Sequence, residues 1–305
     1  MQRRFWIRAY ALALAALCAL PDRGAPAQSP APSPADEFAA AGRSTSFAFE
    51  WREGVVFLPV SLNGSRPLRF ALDSGSTRTL IERTLADSLG LKGGDAGSLQ
   101  GAGAGRIGIQ AVGPVDLALP GLRTRGYDAY ATDLKPVGQA LKGEVDGILG
   151  YDFFARFVVT IDFAARRITL VDPSAWQPAH QAEAIALDIR DKWPFVEGEL
   201  VLPGPVTVQD RFMIDSGSSD AVDHPVVKAM QSRTATQSGV GLGTPVDGAT
   251  AQATAFRIGR FSVAQPTVAC CGATEATSRL IGTEILRHFT VTFDYPASRL
   301  FLAPD

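Results

Sequence analysis

The chain has 305 residues, 46% hydrophobic and 20% charged, which excludes a disordered tail or a fibrous repeat and gives material for one or two globular units. Thirty Gly and 20 Pro, with runs rich in Val, Ile, Phe and Thr, favour strands and turns over a helical bundle. A formal charge of −2 offers no general attraction to phosphate backbones or anionic lipid, so no nucleic-acid partner is expected.

The chain opens with Arg3, Arg4 and Arg8, an apolar stretch from Ala9 to Leu20, and the small-x-small pattern Ala25-Pro26-Ala27. That order is the pattern of a secretory signal peptide, residues 1–27, cut after Ala27. Its apolar run is too short to span a bilayer comfortably, so no membrane span is expected once it is removed. Cleavage removes four Arg and one Asp and takes the formal charge to −5. The protein is therefore expected in the periplasm or secreted. Residues 28–45 alternate Pro with small residues over most of their length and read as a semi-extended linker.

Val55 to Leu62 and Leu68 to Leu72 are strand-like and are separated by the turn signal Asn63-Gly64, as in a hairpin. The second run leads into Asp73-Ser74-Gly75-Ser76. A short helix should follow, since Leu85 and Leu89 are four apart with Gly90 as a stop. Gly103, Gly105 and Gly108 spell GxGxxG, but the alternation around Ile107 and Ile109 and the nearby Pro114 offer no helix after it, which a dinucleotide site requires. Phe157, Val159, Ile161 and Phe163 then alternate with Val158, Thr160 and Asp162, the period of a strand with one face in a core.

Beyond this point the chain repeats itself. FALDSGSTRTL (70–80) returns as FMIDSGSSDAV (212–222), which puts Asp73 and Asp215 142 positions apart. DGILGYDFFARFVVTIDFAARRITL (146–170) returns as SRLIGTEILRHFTVTFDYPASRLFL (278–302), with Gly150/Gly282, Phe157/Phe289, Thr160/Thr292, Asp162/Asp294 and Arg167/Arg299 all offset by 132. One DSGS arises by chance in roughly one chain in a hundred of this size, so two, each followed by an apolar-apolar-Gly block, are not accidental. The same two blocks in the same order imply two similar lobes, residues 46–178 and 179–305. Asp223 and Pro225 suit a helix start after the second loop. Asp162 and Asp294, beside turns, read as structural.

Outside the signal only Cys270 and Cys271 remain, so no disulfide framework holds the fold, and two cysteines define no metal site. The pair is either reduced or joined as a vicinal bridge. His180, His224 and His288 are the only histidines, and no GxSxG elbow accompanies them.

An apolar strand ending in Asp-Ser-Gly-Ser puts a carboxylate on a tight turn, where Gly75 or Gly217 lets backbone amides approach it. A single such turn is usually only a hydrogen-bonded turn. One per lobe can bring two carboxylates together. At about 3 to 4 Å and an effective dielectric near 20, their repulsion is about 4 kcal/mol, so the pair holds one proton and divides acid and base roles. Such a pair can deprotonate a water attacking a carbonyl while protonating the carbonyl oxygen.

These residues resemble the pepsin and retropepsin aspartic peptidases, and ILGYDFF…FVVTIDFAARRITL is especially similar to the bacterial retropepsin-like branch. The resemblance runs from about residue 46 to the end. It implies a mostly β, two-lobed pepsin-like acid-protease fold with pseudo-two-fold antiparallel lobes and short helices. It implies an aspartic-type endopeptidase with catalytic Asp73 and Asp215 and no cofactor or metal, acting as a monomer on a peptide or protein substrate in extended conformation. It also implies that Ser74 and Ser216 interlock the loops, that Ser76 and Ser218 bond the outer carboxylate oxygens, and that the ILG and LIG blocks pack behind. The stretch that corresponds to the flap, residues 97–112, is glycine-rich and carries no Tyr, and its second-lobe counterpart is near 238–250. The competing reading is an envelope peptide-binding protein that keeps the fold without cutting.

Overall fold

Period-two patterning becomes strand almost throughout the computed structural model, which describes residues 36–100, 105–179, 183–238, 246–270 and 279–304. The signal peptide expected over residues 1–27 lies outside these. The structure is mostly β, and the longest helices among the described residues, Arg83–Ser88 and Lys135–Ala140, have six residues each. None is long and apolar enough to cross a membrane.

Two large sheets carry the lobes. In the first, Val55–Leu62 pairs antiparallel with Leu68–Leu72, Phe57 opposite Ala71, through a turn in which Asn63 and Gly64 have φ of 47° and 80°. Leu68–Leu72 then pairs in parallel with Gly147–Leu149, which also borders Leu80–Glu82. In the second sheet Trp193–Val201 pairs with Thr207–Ile214, Phe195 opposite Met213, and Thr207–Ile214 pairs in parallel with Leu280–Ile281, which borders Val222–Asp223. The two sheets therefore run through the same neighbour order around each Asp-bearing strand. Asp73 and Asp215 each follow the final residue of their strand.

A third sheet of six strands draws on both sides of the 178/179 boundary, and the described residues form one unit. At its centre Val158–Asp162 pairs with Phe289–Asp294, Thr160 opposite Thr292 with their hydroxyls 2.8 Å apart. Since these two threonines are also counterparts in the repeated blocks, the axis relating the lobes passes between them. Burying Val159, Ile161, Val291 and Phe293 at 0% exposure, at about 1.5–3 kcal/mol for each large side chain, joins the halves into one core.

The linker is shorter than the sequence suggests. Glu37–Phe38 pairs with Leu122–Thr132, Ser44–Ala48 pairs with Arg167–Val171, Phe38 sets its ring edge-on to Phe157 and Asp36 pairs with Arg156. The apolar Phe38 and an ion pair dock the segment from Asp36 onward. Asp223 also differs from expectation. It lies in the strand Val222–Asp223, and the short 3-10 helix Pro225–Ala229 is capped instead by His224, whose Nδ1 accepts from the Val226 amide.

Candidate active site

Each Asp-bearing strand keeps its parallel pairing for one residue past its end: the Asp73 amide donates to Leu149 O at 3.0 Å and the Asp215 amide to Ile281 O at 2.9 Å. The chain then turns tightly, with the Ser76 amide donating to Asp73 O and the Ser218 amide to Asp215 O. Gly150 and Gly282 sit directly behind. A Cβ on Gly150 would lie 2.3 Å from Arg78 O and one on Gly282 2.3 Å from Asp220 O, so only glycine lets the ILG and LIG strands press against the loops.

The turns aim amides at the carboxylates. Asp73 Oδ1 accepts from Gly75 N and Ser76 N, both at 2.9 Å, and Asp215 Oδ1 accepts from Gly217 N at 2.8 Å. Between the loops, Ser74 Oγ accepts from Ser216 N (2.9 Å) and donates to Ile214 O (2.7 Å), while Ser216 Oγ accepts from Ser74 N (3.0 Å) and donates to Leu72 O (2.9 Å). Both serines are wholly buried. This reciprocal lock brings each glycine face-on to the opposite carboxyl: a Cβ on Gly217 would lie 2.4 Å from Asp73 Cγ, and one on Gly75 2.7 Å from Asp215 Cγ. Asp73 and Asp215 remain partly accessible.

The Ser76 and Ser218 hydroxyls do not bond the carboxylates. Ser76 Oγ donates to Arg78 O at 2.8 Å, and Ser218 Oγ accepts from the Asp220 amide. Both are turned toward backbone groups of their own loops, and the backbone amides serve the carboxylates in their place.

Burial raises both aspartates above the ordinary 3.8. Asp73 is raised well above it, first by desolvation, then by the charge of Asp215 and a carboxyl–carboxyl hydrogen bond, against the lowering effect of the Gly75 and Ser76 amides. For Asp215 desolvation again leads and is opposed by the Gly217 and Ser218 amides and by the same bond to Asp73; the nearby Asp220 adds a smaller rise. Both carboxyls are raised and share one environment, so the pair holds one proton between them. Below it, Tyr295 is stacked on Phe154 at 5.2 Å, and its hydroxyl is held neutral first by burial and then by the charges of Asp73 and Asp215.

Several residues at the site carry no signal in the sequence. Trp193, at the start of its strand, donates its indole Nε1–H to Gly75 O at 2.8 Å, across from one lobe to the other. It borders a cavity of about 450 Å³ with Phe195, Arg211 and Arg279. Arg78 lies over the Tyr130 ring and donates to its hydroxyl at 2.6 Å. Asp223 is 6% exposed, and among the described residues its Oδ1 has no hydrogen-bond partner; burial first, then the charges of Asp220 and Asp215, push its carboxyl well above the ordinary range. It stands opposite Leu280, as Leu80 in the first lobe stands opposite Ile148, so a carboxyl occupies a position that is leucine on the other side.

The other candidates fall away from the dyad. Asp162 and Asp294 accept amides of the turns that follow them, from Ala165 and Ala297. His224 is buried against Asp210, which also binds Arg279. His180 and Gly103 lie outside the described residues, but Arg106–Leu119 is a 14-residue strand, so no helix follows the GxGxxG stretch. That strand and Gly94–Gln100 form the hairpin of the flap region, and Thr234–Ser238 with Val246–Gln252 form its second-lobe counterpart. Cys270 is disulfide-bonded, and Cys271 lies outside the described residues. Among the described residues, no group of three or more His, Cys, Asp or Glu is arranged to hold a metal ion.

Residues 58–153 match a family model described as aspartyl protease, a span that contains Asp73, its loop and the strand Gly147–Leu149. The resemblance to retropepsin-like aspartic peptidases holds on that match, and it supports a peptidase-type hydrolase. A search among curated proteins finds no match.

Proposed function

We propose that the protein is an exported, monomeric aspartic endopeptidase in which Asp73 and Asp215 activate a water against a peptide bond of an extended substrate. The observation that carries this reading is the mutual contact of the two loops, in which each glycine backs onto the other loop's carboxyl. Water between the carboxyls gives a proton to the ionised carboxyl of the pair as its oxygen bonds to the carbonyl carbon. The protonated carboxyl gives its proton to the carbonyl oxygen. The resulting gem-diol collapses as the C–N bond breaks, the amine taking the proton that the first carboxyl received while the second recovers one from the diol, so no covalent enzyme intermediate forms.

The loop amides oppose the rise that burial imposes, which keeps one carboxyl of the pair ionised. The amino-terminal Arg-apolar-small pattern and the disulfide at Cys270 support export into an oxidising compartment. Both carboxyls come from a single chain, which supports a monomer; light scattering checks it.

A peptide-library digest across pH 3–8 tests the reading, with Asp73→Asn and Asp215→Asn as controls. Cleavage by the wild type and a loss of at least about 10³-fold in each variant is the expected result. Cleavage that persists in both variants overturns the dyad. Binding without cleavage by the wild type returns the protein to the envelope peptide-binding alternative.

A further inference from the structure

The two loops that flank the dyad are built alike but left in different states. Strand Val55–Leu62 follows a turn at Glu53 and Gly54 with φ of 48° and 79°, and Trp193–Val201 follows a turn at Asp191 and Lys192 with φ of 49° and 72°. Phe57 opposite Ala71 and Phe195 opposite Met213 put Val55 and Trp193 at corresponding places in their strands. Val55 is an apolar side chain buried to 1% exposure among Phe57, Ala71 and Ile148 of its own lobe, and it carries no donor. Among the described residues the Gly217 carbonyl accepts no hydrogen bond. Trp193 does offer a donor, and its indole N–H occupies the carbonyl of Gly75.

An extended peptide lying across the dyad presents main-chain N–H groups at alternate residues and needs acceptors for them. The Gly75 and Gly217 carbonyls belong to the turns that carry the carboxyls, two residues after Asp73 and Asp215. From this asymmetry we infer that Trp193 is a specificity-determining residue that makes the cleft one-sided. The substrate's main chain is anchored at the Gly217 carbonyl on one side of the scissile bond, and the Gly75 carbonyl is withheld from it on the other. On the withheld side the peptide meets the indole, which itself borders the cavity lined by Phe195, Arg211 and Arg279, so selection there passes from main-chain to side-chain contact. The indole is held in this pose by its hairpin, since Lys192 reaches the first lobe at Asp152 (Nζ to Oδ1 3.3 Å) and lies over the Tyr151 ring.

This inference rests on the peptidase reading but is tested apart from it by measuring binding. The probes are peptides Ac-(Ala)n-Phe-Phe-(Ala)m-NH2, lengthened on either side of the Phe-Phe bond, titrated into the inactive Asp73→Asn protein. With Trp193 intact, affinity should rise with length on one side and stay within about twofold on the other. Trp193→Phe, which removes the donor and keeps a ring, and Trp193→Val, which copies Val55, should each restore a gain of about tenfold on the flat side, the effect of one added hydrogen bond. Equal length dependence on both sides with Trp193 intact overturns the inference, as does a flat side that stays flat in both variants. Failure of the wild type to cleave peptides that bind with the expected asymmetry counts against the peptidase reading alone. Failure of every peptide to bind all three proteins overturns both.

Discussion

Replacing Ser74 by Ala probes the joint on which the paired carboxyls depend. The substitution removes one oxygen that accepts from Ser216 N at 2.9 Å and donates to Ile214 O at 2.7 Å. Ser74, Ser216 and Ile214 are all at 0% exposure, so water cannot replace either bond without opening the interface. Leaving a buried donor or acceptor unpaired costs about 1–3 kcal/mol, and two such groups give about 2–6 kcal/mol. That is a large share of the roughly 5–15 kcal/mol by which folded domains are stable. Ser216→Ala breaks the matching pair, to Ser74 N and Leu72 O at 3.0 and 2.9 Å, and should cost the same within about 1 kcal/mol. The double variant should lose less than the sum, because the second deletion acts on a joint the first has already loosened. Urea unfolding followed by circular dichroism measures all three, with Ser76→Ala as the control, since Ser76 Oγ bonds only within its own loop and its removal should cost at most about 1.5 kcal/mol. Losses below about 1 kcal/mol for both Ser74→Ala and Ser216→Ala would refute the argument that this lock holds the lobes together.

Gly217→Ala would put a methyl 2.4 Å from Asp73 Cγ, where carbon atoms need about 3.5–4.0 Å, so the carboxyls must separate by about 1 Å; kcat/KM should fall by about 10²-fold with the fold retained by circular dichroism. Asp220→Asn removes a charge that raises Asp215, so the acid limb of the kcat profile, where one carboxyl of the pair must be ionised, should move to lower pH; an unmoved limb contradicts that coupling. Asp223 has its carboxyl raised in the folded state, so its contribution to stability is fully present below the ordinary 3.8 and is lost as pH climbs through the raised value. Asp223→Leu, the residue at the corresponding place in the first lobe, should therefore stabilise the protein by about 1–3 kcal/mol at pH 7 and by less at pH 3, read from thermal unfolding at the two pH values.

The parts of this molecule that could be read from its residues are those where local sequence and tertiary role coincide. Val55–Leu62 and Leu68–Leu72 alternate and are closed by Asn-Gly, so propensity and packing agree, and the strands have the ends the pattern suggests. The repeated apolar-apolar-Asp-Ser-Gly-Ser could be read because only glycine and small hydroxyl residues tolerate loops that abut this closely. Rotamer choice could not be read. Nothing in the sequence tells whether the Ser76 hydroxyl turns to Asp73 or to Arg78 O, and the loop geometry decides for the latter. Asp223 before His224-Pro225 carries the local signature of a helix start, yet pairing with Leu280 draws it into a strand. Trp193 lies 22 positions before Asp215 with no motif around it; its correspondence with Val55 emerges only once both strand registers are known.

The most direct measurement on the paired carboxyls is a carbon-13 NMR titration of the aspartate side chains in the wild type and in Asp73→Asn. A proton shared between Asp73 and Asp215 requires two well-separated titration steps belonging to the pair, the upper one far above the ordinary carboxylate range and absent from Asp73→Asn. Two carboxyls that titrate independently near 3.8, unchanged by the substitution, would mean that no proton is shared and that the dyad does not exist.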